Sequence, residues 1–190
     1  MGLGNPGPEY AFTRHNAGFL AIDALAVKLG RFSGWRRQER MERGEGRAGR
    51  HTVRLVKPFE YMNRSGLAAK ALLAEGFLAE EILVACDDVY LPLGTLRLRT
   101  SGGTAGHQGL ESILAVTGTD AFPRLRIGVG PAPKAERLKE YVLERFTDEE
   151  EAVLPRVIEA AASAAFDAAA DGLTQAMNRW NRFVLDPVEP

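Results

Sequence analysis

Glu81-Ile82-Leu83-Val84-Ala85-Cys86-Asp87-Asp88 is the stretch whose reading decides the fold. Its mostly apolar run reads as a buried strand, and the two carboxylates end it abruptly. A strand apolar on both sides has to be covered on both sides, so helices are expected on each face of its sheet. The neighbouring segments supply them. Leu67 to Leu73 upstream reads as a short helix, and Leu110 to Val116 continues as a helix from the Gly-rich loop Ser101 to Gly109. Between these lie Leu96 and Leu98 alternating with Arg97 and Arg99, a half-buried strand. Arg124 to Val129 is a further strand with Gly130-Pro131 as its stop.

Further out, Phe19, Leu20, Ile22, Ala24, Leu25 and Val27 follow helical spacing from about Ala17 to Leu29, and Gly30 stands where a C-terminal cap belongs. Thr52 to Val56 reads as a strand closed by Lys57-Pro58, paired through a hairpin around Gly44 to Gly49. Toward the C-terminus, Glu136 to Phe146 has helical spacing, and Thr147 with Glu150 three residues on caps a long Ala-rich helix. Strands alternating with helices, plus one hairpin, predict a single-domain three-layer α/β/α fold over residues 1–190. Its sheet is mixed, twisted and covered by helices on both faces.

The chain has 190 residues, 45% of them hydrophobic, and Lys+Arg 24 against Asp+Glu 25 leaves a net charge of −1. That excludes a disordered chain and supports one domain with a real core. The one cysteine, Cys86, builds neither a disulfide framework nor a Cys-rich zinc site, and at the end of an apolar strand it reads as a small core residue. No apolar run reaches the roughly 18 residues of a spanning helix, and no secretory signal opens the chain. The expectation is a soluble cytoplasmic protein. Charge is segregated, however: residues 31–57 hold nine basic residues against Glu39, Glu42 and Glu45. Of the 24 basic residues 19 are Arg, whose planar fork suits phosphate, so nucleic acid is admitted as a partner.

Gly2-Leu3-Gly4-Asn5-Pro6-Gly7 matches the dinucleotide pattern formally, but almost nothing precedes Gly2 and Pro6-Gly7-Pro8 is turn chemistry. Chemistry concentrates elsewhere. His15, in Thr13-Arg14-His15-Asn16, sits just before the first helix, and Asp87 and Asp88 stand at the carboxyl end of a buried strand, where open α/β sheets place their sites. A carboxylate there fixes an imidazole tautomer. His15, His51 and His107 lack metal-ligand spacing, and no Ser lies in a nucleophile elbow. A His-Asp pair without a side-chain nucleophile points to activated water, and the neutral amides Asn5, Asn63 and Gln108 suit an acyl carbonyl. Alternation puts Arg97 with Arg99 on one face and Arg124 with Arg126 on one face, so two pairs can meet on a phosphate.

These motifs, with Tyr10, Tyr61-Met62-Asn63-Arg64-Ser65-Gly66, Leu91-Pro92, Gly94 and Gly106-His107-Gln108-Gly109-Leu110, resemble the bacterial peptidyl-tRNA hydrolase family in order and spacing across nearly the whole chain. The resemblance implies a monomeric enzyme without cofactor or metal. Its reaction would be hydrolysis of the ester between a peptide, or an N-blocked amino acid, and the ribose of a tRNA 3′ end. His15 would be the general base and Asp87 its orienting partner. Asn5, Asn63 and Gln108 would position the peptide and carbonyl, Tyr10, Tyr61 and Met62 would line the cleft, and Arg99 and Arg126 would clamp the tRNA 5′ phosphate. The loop near Gly102 to Gly109 and the helix from Glu136 would gate and cover the cleft.

The departures from the family pattern are specific. Only Met1 stands before the Gly-Leu-Gly-Asn motif, where a full hydrophobic strand is usual, so either the start is displaced or the sheet lacks a strand that supports Asn5. Gln108 replaces the usual Asn, Thr104 and Ala105 replace a Gly and a His, and Cys86 replaces the His before the double Asp. Non-catalytic RNA-binding relatives also resemble the family, but His15, Asp87, Asn5 and Asn63 occurring together argue for the enzyme.

Overall fold

The computed structural model describes residues 1–130 and 135–185. Pro131, half of the predicted strand stop, lies outside the described residues. Among the described residues six strands and six α-helices form: α1 (Ala17–Lys28), β1 (Arg36–Gln38), β2 (Met41–Ala48), β3 (His51–Pro58), α2 (Gly66–Ala74), β4 (Val84–Pro92), β5 (Leu96–Arg99), α3 (Gln108–Thr117), β6 (Arg124–Gly130), α4 (Leu138–Leu143), α5 (Asp148–Ala170) and α6 (Leu173–Trp180).

The strands make two three-stranded ladders, β1-β2-β3 and β4-β6-β5, rather than one continuous ladder. The first is antiparallel throughout, and in the second β4 runs parallel and β5 antiparallel to the central β6. Residues 1–3 join them. Gly2 N–H donates to the Val56 carbonyl at 3.0 Å, Leu3 N–H to Ala85 at 2.9 Å, and Ala85 N–H returns to Met1 at 2.8 Å. They make an isolated bridge rather than a ladder, yet they link β3 to β4 and lead the chain toward Asn5.

Alternation then distributes the core between two layers. Ala85, Leu96, Leu98, Leu125 and Ile127 bury against α1 and α5. Val56, Val84 and Cys86 bury with Leu3 against α2 and α3 on the other side. The expected covering of both faces is what these two clusters describe. Close approach across this core requires glycine at position 18, because a Cβ there would stand 2.4 Å from the Ala85 carbonyl oxygen and 2.6 Å from Leu3 N.

Several boundaries differ from the sequence reading for local reasons. β4 begins at Val84, since Glu81 is spent as a cap whose Oε2 accepts Leu78 N–H at 2.8 Å, and it continues through both aspartates to Pro92. Gly30 is no left-handed cap. It bridges to Arg47 through two backbone hydrogen bonds, and Arg31 takes the positive φ of 53° instead. The hairpin turns at Gly49, while Gly44 and Gly46 lie inside β2. The helix expected from Glu136 shortens to α4 because Glu144 is extended and Arg145 bridges to Thr13. Thr147 and Glu150 do form the reciprocal cap of α5.

Candidate active site

The carboxyl end of β4 sets the site. Asp87 is buried, and its Oδ1 accepts hydrogen bonds from two imidazoles, His15 Nδ1 at 2.8 Å and His107 Nε2 at 3.0 Å. His15 arrives on a short 3-10 turn, Arg14–Asn16, that leads into α1. His107 arrives as the N-cap of α3, where its Nδ1 accepts the N–H groups of Gly109 at 3.1 Å and Leu110 at 3.4 Å. An imidazole whose Nδ1 is an acceptor carries its hydrogen on Nε2. His107 is thereby committed as a donor to Asp87, and a hydrogen bond from His15 Nδ1 to the same carboxylate leaves His15 Nε2 with its lone pair free. Burial pushes the Asp87 carboxyl up, but the charges and hydrogen bonds of His15 and His107 together outweigh it and hold the group well below the usual carboxylate range.

His15, Asp87 and His107 lie close enough to be weighed as metal ligands. The fit is poor. Coordination through His107 Nε2 requires the hydrogen on Nδ1, which would set it against two backbone N–H donors at the start of α3.

Around this pair opens a cleft of about 450 Å³ that collects Asn5, Tyr10, His15, Tyr61, Met62, Asn63, Asp87, Gln108 and Arg126. Arg99 is exposed on β5 and is not among the cleft residues. Asn5 is fixed twice over. Its backbone N–H donates to Asn16 Oδ1 at 2.8 Å, and its own Oδ1 accepts Met62 N–H at 2.8 Å, which leaves Nδ2 as the donor not used by that bond. Tyr10 meets Tyr61 edge to face, 6.4 Å between ring centres. Leu138, Lys139, Val142 and Leu143 of α4 and residues 104–107 of the loop form further walls. Gly109 brings α3 close, since a Cβ there would stand 2.6 Å from the Met62 sulfur.

The two pairs of strand arginines do not assemble as expected. Arg97 opposes Arg126 and Arg99 opposes Arg124 across β5 and β6. Arg124, however, is buried and donates to the carbonyls of Gly102, Gly103, Asp120 and Phe122, so it tethers the loop instead of facing phosphate. Arg97 donates to the Asn181 carbonyl at 2.6 Å. Alternation fixes the face but not what covers it, and here the 102–103 loop folds over Arg124.

Two contributors escaped the sequence reading. Asn16 was visible only as part of a motif, and its clasp on Asn5 depends on distance across the fold. His107 carried a readable signal, a polar residue directly before a helical apolar run, but its second partner, Asp87, is 20 residues away. Cys86 is buried as expected, and burial with the adjacent Asp87 pushes its thiol well above the ordinary range.

Fold and site together define an α/β protein with a histidine-aspartate pair at the carboxyl end of a parallel strand, facing a cleft edged with neutral amides. The family model described as Peptidyl-tRNA hydrolase matches residues 1–187, and the chain belongs to that family. The peptidyl-tRNA hydrolase of Desulforudis audaxviator is 46% identical over 186 residues, covering 97% of this chain and 93% of its own. That of Moorella thermoacetica is 46% identical over 183 residues, covering 95% and 96%. The crystal structure of peptidyl-tRNA hydrolase from Acinetobacter baumannii superposes with a TM-score of 0.86 at 38% identity, covering 96% of this chain and 93% of that one.

Proposed function

We propose that this chain hydrolyses the ester joining a peptide, or an N-blocked amino acid, to the 3′-terminal ribose of tRNA, releasing tRNA for reuse in translation. The observation that carries this reading is the 2.8 Å contact between His15 Nδ1 and Asp87 Oδ1. With Nδ1–H held by the carboxylate, His15 Nε2 takes a proton from water as the hydroxide attacks the ester carbonyl. Asp87 stabilises the imidazolium that forms. Collapse of the tetrahedral intermediate breaks the bond to the ribose oxygen, and the proton on His15 passes to that oxygen. The products are the peptide acid and free tRNA.

Asn5, Asn63 and Gln108 act as neutral donors for the peptide and the attacked carbonyl. Tyr10, Tyr61 and Met62 line the peptide side of the cleft. Arg99 and Arg126 contact the tRNA 5′ phosphate, and of the two only Arg126 lines the cleft. The enzyme works without a resident metal, a reading supported by the tautomer that α3 imposes on His107. It acts as a cytoplasmic monomer, and no helix among the described residues is long and apolar enough to cross a membrane.

The experiment is release of acyl-amino acid from purified N-acetyl-aminoacyl-tRNA by the chain and by His15→Ala. Loss of about 10² to 10⁴-fold in turnover with tRNA affinity retained is expected. A near-normal rate in His15→Ala removes His15 as the base.

A further inference from the structure

The acids among the described cleft residues are Asp87 and Asp88, and both are buried and committed. Asp87 holds the histidines. Asp88 accepts Arg126 Nε at 2.9 Å on Oδ2 and Tyr90 N–H at 2.9 Å on Oδ1. A bound group therefore meets no exposed carboxylate in the cleft itself.

Beside the wall made by Tyr61, Met62 and Asn63 the exposed charge is positive. Arg64 closes the 3-10 turn Met62–Arg64, whose first two residues line the cleft. Its guanidinium pairs with Glu60 Oε2 at 3.1 Å, while Arg40 donates to Glu60 Oε1 at 3.0 Å. Arg40 comes from the turn between β1 and β2, pinned there because its carbonyl accepts Phe59 N–H at 2.7 Å. One carboxylate between two guanidiniums leaves one positive charge uncancelled. Exposure sorts the signs as well: the Glu60 side chain is 23% exposed, against 45% for Arg40 and 57% for Arg64. Each guanidinium spends one terminal nitrogen on Glu60, and its other N–H groups have no partner among the described residues. Two forks held in this way have the donors to take a second carboxylate. Neither arginine lines the cleft, so their ligand is a group that reaches past it.

We infer that Arg40 and Arg64, held by Glu60, form a subsite for an acidic side chain and select acyl groups that carry Asp or Glu next to the esterified residue. This rests on the reading of the cleft as a peptidyl ester site with the acyl group on its Tyr61 side. An extended chain advances about 3.3–3.6 Å per residue, so the residue one step out from a carbonyl held by Asn63 comes within reach of the long side chain that follows, Arg64.

The test uses the full chain and two analogues that do not hydrolyse, N-acetyl-Glu-Ala and N-acetyl-Gln-Ala, each joined by an amide to 3′-amino-3′-deoxyadenosine. They differ in one charge. The chain should bind the Glu analogue about 2- to 5-fold more tightly at low salt, the range of a solvent-exposed ion pair, and about 0.5 M salt should erase most of that preference. Arg40→Gln combined with Arg64→Gln should abolish it, Arg64→Glu should reverse it, and Glu60→Gln should widen it, because both forks are then released. That opposite response to Glu60→Gln is one that a merely structural role does not give. Affinity for deacylated tRNA should stay within about 2-fold in the double variant. Equal affinity for the two analogues, binding of neither, or a preference that survives the double variant overturns the inference. Loss of tRNA affinity with the preference intact also overturns it and assigns the arginines to RNA. Hydrolysis of N-acetyl-Glu-Ala-tRNA and N-acetyl-Gln-Ala-tRNA is measured separately. Hydrolysis with equal affinity for the analogues defeats this inference alone, whereas a preference that depends on Arg40 and Arg64 without hydrolysis upholds the subsite and defeats the hydrolase reading.

Discussion

Asn16 and Asn5 clasp each other through two hydrogen bonds: Asn5 N–H donates to Asn16 Oδ1 at 2.8 Å, and Asn16 Nδ2 donates to the Asn5 carbonyl at 3.0 Å. The clasp ties the turn that bears Asn5 to the turn that bears His15. Only a group with both a donor and an acceptor makes it. Asn16→Asp keeps the size and the acceptor but loses the donor, and it buries a carboxylate against a carbonyl. We expect a loss of about 1–3 kcal/mol of stability and a fall in kcat larger than any change in KM. Urea unfolding with steady-state kinetics checks both, and an Asn16→Asp variant with native stability and turnover would contradict the assignment.

His107 has two separable roles, the cap of α3 and the second hydrogen bond to Asp87. Asparagine is a good N-cap, but its shorter side chain, once committed to capping, does not also reach Asp87. His107→Asn should therefore keep most of the thermal stability while lowering kcat, whereas His107→Ala should lower kcat and also cost about 1 kcal/mol of stability. Equal turnover in the original chain and both variants would show that the Asp87 contact contributes nothing to the rate.

Arg124 and Arg99 oppose each other on neighbouring strands, yet their substitutions should report on different properties. Arg124→Leu strips the loop carbonyls of a buried donor and should lower stability by several kcal/mol, since buried acceptors left unpaired cost about 1–3 kcal/mol each. Arg99→Ala, on an exposed side chain, should leave stability unchanged, raise KM for tRNA substrates and flatten the salt dependence of KM. Melting curves and KM at two salt concentrations separate the cases. An Arg99→Ala variant with the original salt slope would remove Arg99 from phosphate contact.

The depressed carboxyl of Asp87 links stability to pH with a definite sign. A carboxylate held below its unfolded value of about 3.9 contributes stability that is complete above that pH and is lost as pH falls toward the folded value. The stability difference between the original chain and Asp87→Asn should hold steady from neutral pH down to about 5 and shrink below about 4. Denaturation measured across that range checks it, and a difference that grows on acidification would reverse the sign.

Much of this molecule is written locally. The cap of α5 at Thr147 and Glu150, the apolar run into Asp87 and the helix from Ala17 all follow from spacing over a few residues, because helix caps and strand alternation are short-range effects. That His15 pairs with one of the two carboxylates ending this strand was legible too, since a rim histidine and a carboxylate at a strand end have complementary chemistry. What only the tertiary structure decided is which neighbour each polar group meets. Arg124 and Arg126 are indistinguishable by alternation, yet a loop folds over the first and the cleft opens beside the second. Asp87 and Asp88 are adjacent and chemically alike, yet one gathers histidines and the other gathers Arg126 and Tyr90. His107 reaches Asp87 only because α3 is packed close by glycine at 109. A hydrogen bond is a matter of a few ångströms between groups far apart in the chain, and that distance is set by packing, which no local pattern encodes.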